Sequence, residues 1–364
     1  MDAIIRSVCD AFRLQGTYLG YIELKNGNIN RTFRVDFRTV DGEQKSYILQ
    51  RVNTYVFKKP REVMSNIDRV TSYLRKKDPA AVSLHFHHIG NGQNYLEDGE
   101  NGFWRLFTYV PSVTYNTCDN MKVVRGAGEA FGRFQTLLDD FPAEELYETI
   151  PDFHNTAARY DRLMETVQAD PCGKVKEVPE ELAWLAEARE QACRLTTMQQ
   201  EGRLPLRVTH NDTKINNVLF DEKTGAPLVV IDLDTVMPGL VGHDFGDAIR
   251  FAANYTEEDA RDWEKSGLRL DVFEAFADGF LAQTAKALTQ EEIDTLALSA
   301  FVMTTELVVR FLDDYLQGSP YFKCLYPEHN LVRTRCQMAL AKDMLKHMDE
   351  MQEIVTRCAA KYRL

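Results

Sequence analysis

Residues 208–235 read VTHNDTKINNVLFDEKTGAPLVVIDLDT. Asp212 follows His210 by two positions, Asn217 follows Asp212 by five, and the apolar run 228–231 ends at Asp232. Carboxylates are costly to bury. Two of them at the ends of neighbouring apolar runs therefore suggest a site. The residue types suit phosphoryl transfer. One carboxylate orients an attacking hydroxyl and takes its proton, while one carboxylate and one amide oxygen hold Mg²⁺ against nucleotide phosphates. Taken singly, each residue also suits an ordinary turn, where Asp and Asn are favoured.

Positioning such a set needs a hairpin. The runs 218–220 and 228–231 flank a turn at 221–225, which predicts two short antiparallel strands. Residues before the first strand and after the second then lie at one end, so Asp212, Asn217 and Asp232 can converge. Upstream, residues 18–24, 32–38 and 46–52 read as strands, separated by Gly27-Asn28 and Asp41-Gly42, both hairpin dipeptides. After Pro60, Val63, Ile67, Val70 and Leu74 recur at helical spacing. Residues 83–89 and 102–110 read as further strands. Beyond Pro111, residues 122–138, 179–200, 271–287, 291–316 and 331–358 read as helices. The expectation is an α+β chain of two lobes: a β-rich lobe at 1–110, a hinge near 107–112, and a mainly helical lobe at 111–364.

Composition narrows the function. A chain of 364 residues is long for one core and fits two lobes. Net charge is −12, which disfavours nucleic acid as a partner but leaves room for a nucleotide beside a bound cation. No apolar run approaches the ~20 residues of a membrane span. The opening MDAIIRSVCDAFRLQG reads as a helix and not a signal peptide. Seven cysteines without a Cys-x-x-Cys pair suggest reduced thiols and a cytoplasmic setting.

HNDTKINN followed by VVIDLD resembles the catalytic loop and metal strand of the aminoglycoside phosphotransferase and choline kinase superfamily, whose fold is protein-kinase-like. With NGNINRTFRV, YILQRVN, WRLFTYVP, FHNT, GHDFGDAIR and FLDDYLQGSPYFK, the chain most resembles N-acetylhexosamine 1-kinases. The resemblance implies ATP and Mg²⁺ as cofactors and an N-acetylhexosamine acceptor phosphorylated at its anomeric hydroxyl. It implies Asp212 as catalytic base, Lys214 on the transferring phosphoryl group, and Asn217 and Asp232 as metal ligands. His210 and Asp247 would support the catalytic loop. Arg310, Tyr321 and Phe251 would contact the sugar, together with Asn28 from a loop that also covers the phosphates. Two other readings stand beside it: a kinase of the same fold acting on another sugar, an amino alcohol or an aminoglycoside, and a catalytically silent binding module.

Several residues carry two readings. A protein kinase places Lys in the strand that here reads YILQRV, where this chain has Gln50 and Arg51. Arg51, paired with Glu62, is the candidate phosphate anchor, with a plain surface Arg as the alternative. Adenine would meet backbone groups near Thr108 and Val110. Asp234 is either a neighbour of the metal site or a solvated turn acid. His243 and Asp244 read as structural. Arg310 and Asp314 lie four apart, so a simple helix ion pair competes with sugar contact.

Overall fold

The computed structural model describes residues 1–24, 29–99 and 101–363. The chain divides into two compact units. The first comprises Met1–Val113, Glu144–Ile150 and Ile231–Met237; the second comprises Thr114–Ala143, Pro151–Val230 and Pro238–Leu364.

The first unit is built on a sheet. Helix α1 (Asp2–Ala11) precedes strands β1 (Thr17–Leu24), β2 (Arg31–Arg38) and β3 (Gln44–Val52). Helix α2 (Pro60–Lys77), β4 (Leu96–Asp98) and β5 (Gly102–Thr108) complete it. The order is β1-β2-β3-β5-β4, every neighbouring pair antiparallel. Side chains alternate along a strand, and the two faces do different work. Phe33, Val35 and Phe37 of β2, Tyr47 and Leu49 of β3, and Trp104 and Leu106 of β5 form one apolar face. It packs on Ile5, Val8 and Phe12 from the amino-terminal helical segment. The opposite face carries Gln50 and Arg105, which are register partners. Pro60 at the first turn of α2 is pre-set for a helix start.

The second unit is helical. It contains α3 (Met121–Leu137), α4 (Thr156–Ala169), α5 (Pro179–Ala192) and α6 (Arg194–Gln200). Strand β6 (Arg207–Thr209) and the hairpin of β7 (Val218–Phe220) and β8 (Pro227–Val230) follow. Then come α7 (Val241–Ala252), α8 (Leu270–Thr284), α9 (Gln290–Asp294), α10 (Leu296–Leu316), α11 (His329–Lys346) and α12 (Met348–Arg363). Helix α10 is the centre: nearly all of its residues from Leu296 to Leu316 are buried. Close helix crossings are made by glycine. A Cβ at Gly246 of α7 would clash with the Ser299 carbonyl on α10, and one at Gly128 of α3 with the Phe276 carbonyl on α8.

Some expected elements are corrected. Residues 83–89 form no strand; one isolated bridge, Phe86↔Phe107, and the bonds from His87 N to Leu106 O and from Thr108 N to His85 O are their pairing with β5. The edge of β5 is instead taken by β4 at Gly102–Trp104. The expected helices 179–200, 291–316 and 331–358 each divide, at Cys193, Thr295 and His347. No Gly or Pro marks these breaks, and the apolar pattern runs through them. None of the described helices is long and apolar enough to cross a membrane. The seven cysteines are free.

Candidate active site

The loop between β6 and β7 is held from beneath by two acids of α7. Asp244 accepts the backbone N–H groups of His210 at 2.9 Å and Asn211 at 2.7 Å, and also the Gln135 side-chain amide. Asp247, one turn on, accepts the N–H of Thr213 at 2.9 Å. The Thr213 hydroxyl donates to the Asp244 carbonyl. The backbone donors at 210, 211 and 213 are thus all committed, and Asn211 can hold φ 63°, a left-handed setting that Asn tolerates. Asp247 is itself bound by Arg250, which also pairs with Glu258. His210 is fully buried, its ring T-shaped to those of Phe131 and Phe134 of α3, and its Nδ1 accepts the Asp212 N–H at 3.2 Å.

Asp212 projects from this fixed loop. Lys214 Nζ lies 3.0 Å from its Oδ1. Asn217 Nδ2 donates to the Asp212 carbonyl at 2.8 Å and to Oδ2 at 3.2 Å. Burial raises the Asp212 carboxyl, but the charge and hydrogen bond of Lys214 outweigh it and leave the pKa below the ordinary value. The Lys214 ammonium is raised, first by the charge of Asp212. A carboxylate ionised well below neutral pH, with a cation beside it, can orient a hydroxyl and accept its proton. Because the Asn217 nitrogen is committed to Asp212, its amide oxygen is the end left for a hard cation. Among the described residues no three His, Cys, Asp or Glu side chains cluster to hold a metal. Mg²⁺ needs no such cage, since it takes one or two protein oxygens plus water and phosphate.

Asp232 belongs to the first unit. It lies two residues beyond Val230, which pairs with Val218, and has φ 61° and ψ 57° at the head of a short 3₁₀ turn over Leu233–Thr235. Asp234 in that turn is not a solvated acid. It is 3% exposed and pairs with Arg105, while Asn30 Nδ2 donates to it at 2.7 Å.

Other expected residues fall elsewhere. Asn28 lies outside the described residues. Arg51 is not brought to Glu62, which pairs with Lys59 at 3.2 Å; its guanidinium lies over the Trp104 ring at 5.9 Å. The Thr108 N–H is committed to the His85 carbonyl at 3.0 Å, and the Val110 carbonyl accepts from Ser112 at 2.9 Å. Phe251 is half-buried on the last turn of α7. Arg310 makes no helix pair with Asp314. That carboxylate instead accepts the N–H groups of Tyr321 at 2.9 Å and Phe322 at 3.0 Å, plus Asn330 at 2.7 Å.

Arg310 heads a polar cluster. It lies over the rings of Phe153 at 5.2 Å and Phe322 at 5.8 Å, with Glu306 of the same helix 3.9 Å away. Glu306 is fully buried, bound by His154 Nδ1 at 2.8 Å and by Thr156 at 2.9 Å. Burial raises Glu306, but His154 and the two arginines bring it down to about 2. His154 Nε2 reaches the Asn211 carbonyl at 3.2 Å. Both of its ring partners are acceptors, so both bonds form only with the doubly protonated ring. Arg159 stands nearby, its Nε buried without a partner. Burial and the charge of Arg310 bring its guanidinium down to about 10. Sequence reasoning missed Gln135, His154, Glu306 and Arg159, and it read Asp244 as structural without assigning it the loop at 210–213. The one available signal was spacing: Asp244 sits three before Asp247, on the same helix face.

The family model for the phosphotransferase enzyme family matches residues 20–285. The chain belongs to that family. As a phosphotransferase it has the protein-kinase-like α+β fold, and solved structures share it at low identity. A microcompartment-associated aminopropanol kinase is 15% identical with a TM-score of 0.62, covering 96% of this chain and 98% of that one. An aminoglycoside phosphotransferase from Alicyclobacillus acidocaldarius is 12% identical with a TM-score of 0.60, covering 97% and 96%. An amicoumacin kinase in complex with AMP-PNP and Ca²⁺ is 12% identical with a TM-score of 0.59, covering 93% of each chain.

Proposed function

We propose that this phosphotransferase is an ATP-dependent sugar 1-kinase whose acceptor is an N-acetylhexosamine. The observation that carries the acceptor class is the charge around Arg159 and Arg310. Two guanidiniums, Arg159 and Arg310, face one carboxylate, Glu306. Such a surplus of positive charge disfavours an ammonium and favours oxygens that accept hydrogen bonds. Phe153 and Phe322 beside Arg310 suit the apolar face of a sugar ring. By its name the aminopropanol kinase acts on an amine, so the acceptor here would differ in charge from that neighbour's. The N-acetylhexosamine itself rests on the sequence resemblance.

In this reading Asp212 orients the anomeric hydroxyl and takes its proton as the new O–P bond forms and the bond to the leaving ADP breaks. Lys214 turns from Asp212 toward the phosphoryl oxygens as a point charge. Asn217 and Asp232 are the proposed Mg²⁺ ligands, and the ion would neutralise phosphate charge. Positioning by a loop that Asp244 and Asp247 hold rigid supplies the rest.

The test is ADP release across a panel of N-acetylglucosamine, N-acetylgalactosamine, glucose, choline, ethanolamine and an aminoglycoside, with phosphorus NMR of each product. A sugar 1-phosphate from an acetylated hexosamine is expected. Phosphate on the 6-hydroxyl, or equal turnover of choline, would refute the reading.

A further inference from the structure

We propose that Arg105, and not Arg51, is the nucleotide-phosphate anchor of the sheet unit, and that its pairing with Asp234 sets the turn bearing Asp232. The proposal rests on the ATP-dependent reading above but concerns the nucleotide alone.

Strand geometry separates the two arginines. Arg51 and Trp104 are register partners, and Trp104 belongs to the apolar face packed on α1. Gln50 and Arg105 are the next pair along and point the other way. On that face Arg105 is 2% exposed. Its Nε donates to Gln50 Oε1 at 2.8 Å, and its Nη1 pairs with Asp234 and approaches Met64 Sδ of α2 at 3.9 Å. Gln50 is itself steadied by donating to Thr32 at 3.0 Å. Nη2 makes no bond to any described residue, although the guanidinium is held on its other two nitrogens. A buried guanidinium costs several kcal/mol to desolvate. One carboxylate, one amide and a free fork make an incomplete shell, and a phosphate oxygen would complete it.

The same side chain links two segments that bear on a nucleotide. Asp234 takes Arg105 on one oxygen and Asn30 on the other, the latter at 2.7 Å. Asn30 Oδ1 then accepts the Asn53 N–H at 2.9 Å, tying the end of the β1–β2 connection to the end of β3. Asn66 of α2 donates to the carbonyls of Tyr147 at 2.8 Å and Val236 at 2.9 Å, fixing the far end of the 231–237 segment. Asp232, at φ 61°, sits two residues before Asp234. Arg105 thereby does from β5 what a strand lysine and a helix acid do together in a protein kinase: it offers one cationic donor and holds an acid in place.

Calorimetry of nucleotide binding, without any acceptor, tests this. Arg105→Met should weaken ATP at least about ten-fold, the worth of one charge-assisted hydrogen bond, and leave adenosine within about two-fold. Arg51→Ala should leave both unchanged. Arg105→Met strands the Asp234 carboxylate, so the double variant R105M/D234N is run beside it, with the melting temperature of each. If phosphate contact is the role, the double variant regains its fold but still binds ATP weakly. Recovery of ATP affinity in the double variant would overturn the phosphate role. So would equal losses for ATP and adenosine, or a loss in Arg51→Ala. The acceptor reading is judged by turnover and this one by acceptor-free binding, so either can fail without the other.

Discussion

Asp244 accepts the Asn211 N–H at 2.7 Å, and that bond fixes a left-handed residue immediately before Asp212. Asp244 touches no reacting atom in this arrangement; it positions the loop. Its carboxyl is raised by burial, opposed by the two backbone N–H groups and the Gln135 amide it accepts. Asp244→Asn retains one good acceptor and introduces a buried NH₂ facing donors. We expect kcat to fall ~10–100-fold with the KM for nucleotide within about two-fold, and stability to fall by ~2–4 kcal/mol. Steady-state kinetics with denaturant melts would check it; an equal rise in both KM values with kcat intact would contradict a positioning role.

Asp212 gives a pH prediction. Its folded pKa is lowered, so the carboxylate is ionised throughout the neutral range and loses its charge only as pH falls below the ordinary carboxylate value. The kcat profile should therefore be flat from about pH 7 to about pH 5 as far as this base is concerned. Asp212→Ala should lower kcat by at least ~10²-fold with nucleotide affinity retained. A limb of the wild-type profile near pH ~6 that vanished in Asp212→Asn would contradict the lowered pKa, and a near-native kcat in Asp212→Ala would contradict the role as base.

His243 sets a different window. Burial, helped by His154, lowers its ring to about 3 from an ordinary 6.5. Between those values the unfolded chain binds a proton that the folded chain refuses, so stability rises with pH there and is lost as pH falls from 6.5 toward 3. The slope from this one group is about 1.4 kcal/mol per pH unit. Glu306 adds a second loss below it: lowered from 4.5 to about 2, its contribution is complete above 4.5 and disappears as pH drops through about 2. His243→Asn should flatten the stability curve between about pH 6 and about pH 5 in chemical melts, and an unchanged slope would contradict the buried neutral ring.

The loop that bears Asp212 was legible in sequence because its residues are local. His210, Asp212 and Asn217 sit within eight residues, and the hairpin of β7 and β8 has short strands and a marked turn. What holds the loop was not legible. Asp244, Gln135 and His154 come from three distant segments, and buried acceptors look like ordinary polar residues until their donors are known. Asp234 was ambiguous for the same reason: its partners, Arg105 and Asn30, lie 129 and 204 positions away. Arg51 was set beside Glu62 because its charge was visible and the parity of its strand was not. The helix breaks at Cys193 and His347 escaped because apolar periodicity continues across them.

Packing at glycine supplies a stability prediction. Gly246 lets α7 approach α10 so closely that any Cβ meets the Ser299 carbonyl and Met303. Backbone cannot yield as a flexible side chain can. Gly246→Ala should cost at least ~2–3 kcal/mol and displace Asp244 and Asp247 on the same helix. Gly92→Ala is the control for steric crowding, since nothing lies within 4 Å of its Cβ, although its φ of +86° carries a strain of its own. Thermal melts should show a larger loss at Gly246, together with lost activity; equal small losses at both would contradict close helix contact as the reason for glycine.

The charge around Arg310 makes the last prediction. Arg159 and Arg310 have one shared carboxylate, and Asp314 is committed to the 321–322 backbone and Asn330. Glucosamine and N-acetylglucosamine differ at one group, an ammonium against a neutral amide. If the acceptor meets this cluster, the ammonium is repelled and also fails to accept from the guanidinium, which together should lower kcat/KM by at least ~10²-fold. Glucose, neutral but lacking the amide oxygen, should fall between them. Raising the pH through the amine's own pKa should recover part of the glucosamine rate and leave glucose unchanged. Arg310→Met and Arg159→Met should each narrow the gap between glucosamine and glucose, because that gap is charge alone, while the KM for ATP stays put. Initial rates for the three sugars at two pH values decide it. A wild-type enzyme that takes glucosamine as readily as glucose below the amine's pKa, or a gap untouched by both substitutions, would place the acceptor away from this cluster.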